Sequence, residues 1–125
     1  LYKSMESGSL HRNFMGYTAS KTQAMIGLGA SSISDSWYGF AQNVKGIEEY
    51  RHLVENDVIP VYRGHILTDE DRAIRKHILN LMCGFKTSWT NENLRIQRIE
   101  EVTERLKEME QDALLIVSED GIEVT

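Results

Sequence analysis

The chain has 125 residues, 41% of them hydrophobic and 26% charged, with a formal net charge of −5. That is enough for one modest domain with an ordinary water-facing profile, and no apolar run approaches the roughly 18 residues of a membrane helix. The single cysteine, Cys83, excludes an internal disulfide and any cluster or zinc site needing several thiolates from this chain alone, and it fits a reducing, cytoplasmic setting.

The opening Leu1-Tyr2-Lys3-Ser4 has no signal-peptide pattern and does not start with Met, so the chain reads as a piece of a longer protein. Residues 1–8 read as a helix end, with Ser7-Gly8 as its stop. Residues 10–18 alternate loosely around Phe14 and Tyr17 and predict a strand. Thr18 to Gln23 predicts a turn, and residues 24–30 a second strand. These two strands would form either a hairpin or neighbouring strands of a barrel. Ser31 to Tyr38 has loop composition. Ile47, Tyr50, Leu53 and Val54 then give a helical stripe that ends at Asn56-Asp57. Residues 58–66, with the only proline at Pro60, read as an extended connector, and a boundary between structural units is expected near residue 65.

Thr68 followed by Asp69, Glu70 and Asp71 is a strong helix start. Ile74, Ile78, Leu81 and Met82 predict its apolar face and Gly84 its stop. Phe85 to Thr90 predicts a loop. Residues 93–111 predict a charged amphipathic helix with the stripe Ile96, Ile99, Val102, Leu106 and Met109. Leu114–Val117 and Ile122–Thr125 predict a hairpin around Asp120-Gly121. Helix, loop, helix, hairpin is the order of a winged-helix unit. The expected class is therefore α+β, mostly helical.

Charge is divided unevenly. Residues 1–66 carry six Lys/Arg and six Asp/Glu, whereas residues 67–125 carry eight against thirteen. An acidic half matches a phosphate backbone poorly, which argues against nucleic acid as a partner despite the winged-helix order.

Few residues invite chemistry. The run Met25-Ile26-Gly27-Leu28-Gly29-Ala30-Ser31-Ser32-Ile33-Ser34 holds two glycines one residue apart. Glycine in a strand pattern marks a bulge or a close approach of the backbone to something else, a ligand among the options. A dinucleotide fingerprint would need Gly or Ala at Ser32 and a helix at once, and neither is present. The four histidines have no metal-ligand spacing. His11 beside Arg12 is the most interesting of them, while His52 and His77 lie in helix patterns as solvated or packing residues. Cys83, between apolar neighbours, reads as a buried, inert thiol. Trp37, Tyr38 and Phe40 read as a local hydrophobic cluster, and Arg105 and Lys107 as local partners for the acids of Glu100 to Glu110.

Three blocks taken together carry a resemblance. They are Leu10-His11-Arg12-Asn13-Phe14-Met15-Gly16-Tyr17-Thr18, Gly27-Leu28-Gly29-Ala30-Ser31-Ser32-Ile33-Ser34 and Tyr38-Gly39-Phe40-Ala41-Gln42-Asn43. The chain resembles the carboxy-terminal part of the oxygen-independent coproporphyrinogen III oxidases, radical S-adenosylmethionine enzymes of haem biosynthesis. The likeness continues through Arg63–Thr68 and Arg75–Cys83 and covers essentially the whole chain.

The resemblance implies that residues 1–40 are the last strands of an incomplete β/α barrel. Residues 41–65 would be a helix and extended connector, and 66–125 a winged-helix-like helical domain. It implies a parent that decarboxylates two propionates of coproporphyrinogen III to vinyls, giving protoporphyrinogen IX. There a [4Fe–4S] cluster cleaves S-adenosylmethionine, and the resulting deoxyadenosyl radical abstracts hydrogen. Cofactor-binding roles fall by resemblance on Phe14, Met15, Gly27, Gly29 and Ile33. Met15 stands where the family often has Gln, which implies altered binding of S-adenosylmethionine. No catalytic residue and no metal ligand is assigned. The three-cysteine cluster motif is absent, so this part alone is expected to hold no cluster and to be inactive. Coproporphyrinogen III and S-adenosylmethionine are the expected partners, with no membrane and an open oligomeric state. The alternative is a haem-binding or haem-chaperone relative of the same fold without this reaction.

Overall fold

The computed structural model describes all 125 residues. Helix α1 (Tyr2–Glu6) ends at Ser7, and Gly8 takes a φ of 67°. The single strand predicted over 10–18 is instead a hairpin of β1 (His11–Asn13) and β2 (Gly16–Thr18), turning at Phe14-Met15. Asn13 causes the turn: its side-chain oxygen accepts the Met15 N–H at 2.8 Å, an Asx turn that competes with strand continuation.

The second predicted strand shortens to β3 (Ala24–Met25), and it pairs not with the first hairpin but with β4 (Ile33–Ser36). That strand lies in the stretch read as a loop. Its serines misled the composition argument, because their hydroxyls bond locally: Ser34 Oγ accepts from Gly27 N–H at 3.1 Å and Ser36 Oγ donates to Gly39 O at 3.2 Å. β5 (Gly39–Asn43) follows, then α2 (Ile47–Glu55) as expected, then β6 (Val61–Ile66) within the stretch read as an extended connector, paired into the sheet with β5. The four strands make one antiparallel sheet in the order β3-β4-β5-β6. Asn56 and Asp57 end α2 as expected. Asp57 has a φ of 58°, and the bonds Asp57 N–H to Val54 O and Val58 N–H to Leu53 O close a Schellman motif.

Helix α3 (Asp69–Gly84) carries its three acids in the first turn. Its packed face differs from the predicted one. Ala73 and His77 are buried, while Ile74, Ile78 and Met82 are exposed. The reason is polar: His77 Nε2 donates to Leu94 O at 2.7 Å and Nδ1 meets Thr87 Oγ1 at 2.7 Å, so a histidine holds the place an apolar count gives to isoleucine. The helix ends at Gly84, the predicted stop, and it is Phe85 after it that takes the left-handed conformation, at a φ of 60°.

The predicted loop after it contains β7 (Lys86–Ser88). A 3-10 turn (Glu92–Leu94) precedes α4 (Ile99–Gln111), so the helix predicted from 93 begins at 99. Ile96 is buried ahead of the helix. β8 (Leu115–Val117) and β9 (Gly121–Val124) form the expected hairpin, and β7 pairs with β9, giving the order β7-β9-β8.

The class is α+β, but not mostly helical: four α-helices stand beside nine strands in three sheets. Every pairing is antiparallel, whereas the strands of a β/α barrel run parallel.

The chain forms two compact units. One joins residues 1–21 to 69–125, and the other is residues 22–68. The divisions fall at 21/22 and 68/69, and the first 21 residues group with the carboxy-terminal half. In the first unit, β1 packs against α3 and the interior holds Ala73, His77, Thr87, Ile96, Leu115 and Ile122. In the second, Asp35, Asn43, Val44 and Leu67 are buried.

Candidate functional site

The glycine stretch is a curl joining β3 to β4. Its backbone is held at nearly every residue. Asn43 Nδ2 donates to Gly27 O at 3.1 Å and to Gly29 O at 2.9 Å. Gly29 N–H donates to the Tyr50 hydroxyl of α2 at 3.0 Å. Ser31 N–H reaches Val44 O at 2.8 Å, and Ser32 Oγ donates to Leu28 O at 2.7 Å. The side chains of Ile26 and Leu28 meanwhile point to solvent, 79% and 84% exposed.

The two glycines have different causes. A Cβ on Gly27 would lie 2.7 Å from Ile33 O and 2.8 Å from Ser32 Cβ, so the close approach inferred from the sequence is to the chain's own backbone. At Gly29 space is open but φ is 105°, a conformation L side chains rarely adopt. β4 follows, not a helix, which disposes of the dinucleotide option.

Gly27, Gly29 and half-buried Ile33 are therefore brought together in the 22–68 unit. Phe14 and Met15 are adjacent at the tip of the β1–β2 hairpin in the other unit, both exposed, Met15 at 84%. Beside them the Arg12 guanidinium lies 5.7 Å from the Tyr17 ring centroid. Trp37 and Tyr38 are exposed rather than clustered inward, and Phe40 is half-buried.

Cys83 is half-buried, not buried as expected. Burial pushes its thiol up from the usual range, and Arg12, Lys21 and Lys76 pull it down without prevailing. Those cations were missed because two of them lie more than 60 residues away in sequence. No group of three or more His, Cys, Asp or Glu side chains is placed to hold a metal ion. On α4, Arg105 and Lys107 pair with Glu101 at 2.9 Å and Glu104 at 2.6 Å, as the spacing predicts. The hydrogen bond from Arg98 lowers the Glu101 carboxyl, and that from Lys107 to Glu104 raises the lysine.

Sequence reasoning missed Asn43 and Tyr50, which hold the curl, and the His77–Thr87 node. A signal for Asn43 existed in its place at the end of an apolar alternation, Phe40-Ala41-Gln42-Asn43, but a polar residue there also reads as a turn.

No model of a known protein family matches the chain. An oxygen-independent coproporphyrinogen III oxidase of Cereibacter sphaeroides is 42% identical over 80 residues, covering 64% of this chain and 18% of that protein. The protein of the same name from Helicobacter pylori is 30% identical, with all of this chain and 28% of that one covered. Among solved structures, the coproporphyrinogen III oxidase of Escherichia coli, described as a radical SAM enzyme, matches with a TM-score of 0.83 and 32% identity over 98% of this chain and 30% of that one. In class, then, this is an α+β chain whose fold matches a part of that radical SAM enzyme. In particular, it is a homologue of part of oxygen-independent coproporphyrinogen III oxidase. It spans between 18% and 28% of the length of these curated relatives. No helix is long and apolar enough to cross a membrane.

Proposed function

We propose that the protein carrying this chain is an oxygen-independent coproporphyrinogen III oxidase, which converts two propionates of coproporphyrinogen III to vinyls and yields protoporphyrinogen IX in the cytoplasm. The observation that carries this reading is the coincidence of sequence and fold: 30% identity along the whole chain to one such enzyme and a TM-score of 0.83 to another. The radical chemistry belongs to its cofactors, a [4Fe–4S] cluster and S-adenosylmethionine, and the protein's share is placement.

This chain fits those cofactors unequally. Cys83 alone cannot supply a cluster's thiolates, so the cluster is held elsewhere in the parent and this part is inactive by itself. The pinned curl of Gly27–Ser32 with Ile33, and the Phe14-Met15 tip, fit S-adenosylmethionine in kind, offering fixed backbone and apolar side chains to an adenosyl group. Residues 1–40 are the carboxy-terminal margin of the parent's barrel, antiparallel rather than barrel strands in their own pairing. Residues 66–125 are the winged-helix-like domain. The order α3, β7, α4, β8, β9, with β9 central in its sheet, supports that reading.

The test is anaerobic turnover of coproporphyrinogen III by the purified, cluster-loaded full-length protein with S-adenosylmethionine and a reductant. Formation of protoporphyrinogen IX is expected. A protein that carries its cluster and cleaves S-adenosylmethionine yet leaves coproporphyrinogen III unchanged overturns the enzyme reading in favour of a haem-binding relative.

A further inference from the structure

Asn43 ends β5 where the sheet changes register. Gln42 pairs with Arg63, but Asn43 pairs with Val61, so Tyr62 is an extra residue on β6. Bulges of this kind re-aim a side chain or end a pairing, and they are common beside functional sites. Here Asn43 is 6% exposed. Its two nearest polar neighbours are carbonyl oxygens, Gly29 O at 2.9 Å and Gly27 O at 3.1 Å. Only the NH2 side of the amide can satisfy both, and doing so uses both of its hydrogens. Its backbone N–H goes to Ser32 O at 3.0 Å. A buried amide thus spends three donors on one loop. The residue before it joins in, since Gln42 Nε2 donates to Ser31 O at 3.2 Å and Gln42 Oε1 accepts from Arg63 Nε at 2.9 Å.

We propose that Asn43 is the positioning residue of the glycine curl: its amide fixes the path of Gly27–Ser32, and with it the place of Ile33 and of the backbone offered to S-adenosylmethionine. The inference rests on the reading of this loop as a cofactor contact. It assigns the specificity of the loop's shape to a side chain that touches no cofactor. An interior residue of purely structural value would loosen the whole sheet when changed. A positioning residue changes the loop and the ligand affinity while the sheet stays intact.

Asn43→Asp tests this in the full-length protein. The change is isosteric and puts a carboxylate against two carbonyl oxygens. Hydrogen exchange on peptides covering 26–32 is expected to quicken by about tenfold or more, with peptides from β4 and β5 unchanged, and the Kd for S-adenosylmethionine is expected to rise about tenfold or more. A displacement of about 1 Å at a reacting site can cost on the order of a hundredfold, so tenfold in binding is a modest demand. Asn43→Ala, which removes the donors without adding charge, takes over if circular dichroism shows that the Asp variant does not fold. Unchanged exchange in the loop, equal loosening of loop and sheet, or a loosened loop with unchanged affinity overturns the proposal. Wild-type protein that fails to bind S-adenosylmethionine overturns the ligand half together with the reading of the loop, while the exchange result still decides the clamp.

Discussion

Gly27→Ala puts one methyl group where the structure has no room. The new Cβ would sit 2.7 Å from Ile33 O and 2.8 Å from Ser32 Cβ, about 0.7 Å inside ordinary contact with a backbone atom. Ile33 cannot simply yield, because it is paired with Gln42 in the sheet. Either β4 or the curl must shift, and overpacking of this kind costs about 1–3 kcal/mol. With a urea slope of about 1–3 kcal/mol per molar, the midpoint of the 22–68 unit should fall by roughly 1 M. Trp37 lies in that unit and Trp89 in the other, so fluorescence of a Trp89→Phe background reports the affected unit alone. The same substitution at Gly84 meets no atom within 4 Å and lies in a helix, where Ala is favoured over Gly by about 0.5–1 kcal/mol. It should stabilise slightly or do nothing. A Gly27→Ala protein that unfolds at the wild-type midpoint would refute the argument, and would mean that the curl backs away freely from β4.

His77→Leu leaves Leu94 O without its donor and Thr87 with only Asn80, at 3.2 Å. It should cost about 2–3 kcal/mol and lower the melting temperature by roughly 10 °C; an unchanged melt would refute the node. Ala113 holds a φ of 56° after α4, with its N–H on Glu110 O, so Ala113→Gly should raise stability by up to about 1 kcal/mol in chemical denaturation, against the usual direction for glycine. The Cys83 thiol is raised above its usual range, chiefly by burial, so native alkylation at pH 7 should be slower than for a free thiol. The same shift favours the folded state below the unfolded thiol's pKa and loses that benefit as pH rises through the folded one. Titrating unfolding above pH 8 checks the sign, which a depressed thiol would reverse. Met15→Gln in the full-length protein should leave folding unchanged, since Met15 is 84% exposed, and tighten S-adenosylmethionine binding in calorimetry. Weaker binding would argue against the hairpin tip as a cofactor contact.

What the sequence disclosed depended on the range of the interactions involved. Helices α2 and α3 and the last hairpin were legible because their stripes, acids and Asp-Gly turn are local signals. β4 and β7 were not, because Ser-rich and Thr-rich strands owe their existence to partners elsewhere: β7 pairs with a strand more than 30 residues later. Likewise the face of α3 was misread by about one residue, because hydrophobic counting has no way to value a histidine satisfied at both ring nitrogens. At the glycine curl the sequence located the site but not its cause. Gly27 could be seen, whereas its neighbour Ile33 O and the clamp from Asn43 needed the fold.

The nesting of residues 22–68 between the two halves of the other unit has a consequence for biosynthesis. Residues 1–21, with α1 and the first hairpin, are made before residues 22–68, yet α3, against which β1 packs, is complete only at Gly84. Until then β1 lacks the helix it packs on. Closing a flexible loop the length of the intervening segment costs about 3 kcal/mol from chain entropy alone. The intervening residues contain a contiguous unit of their own, with its sheet and helix all within 47 residues. If that inner unit folds as it emerges, the loop to be closed is no longer a floppy tether but a single rigid body, and most of that entropy has already been surrendered. Within this stretch, assembly would then proceed from the inside outward, with residues 1–21 settling after residues made later than they are.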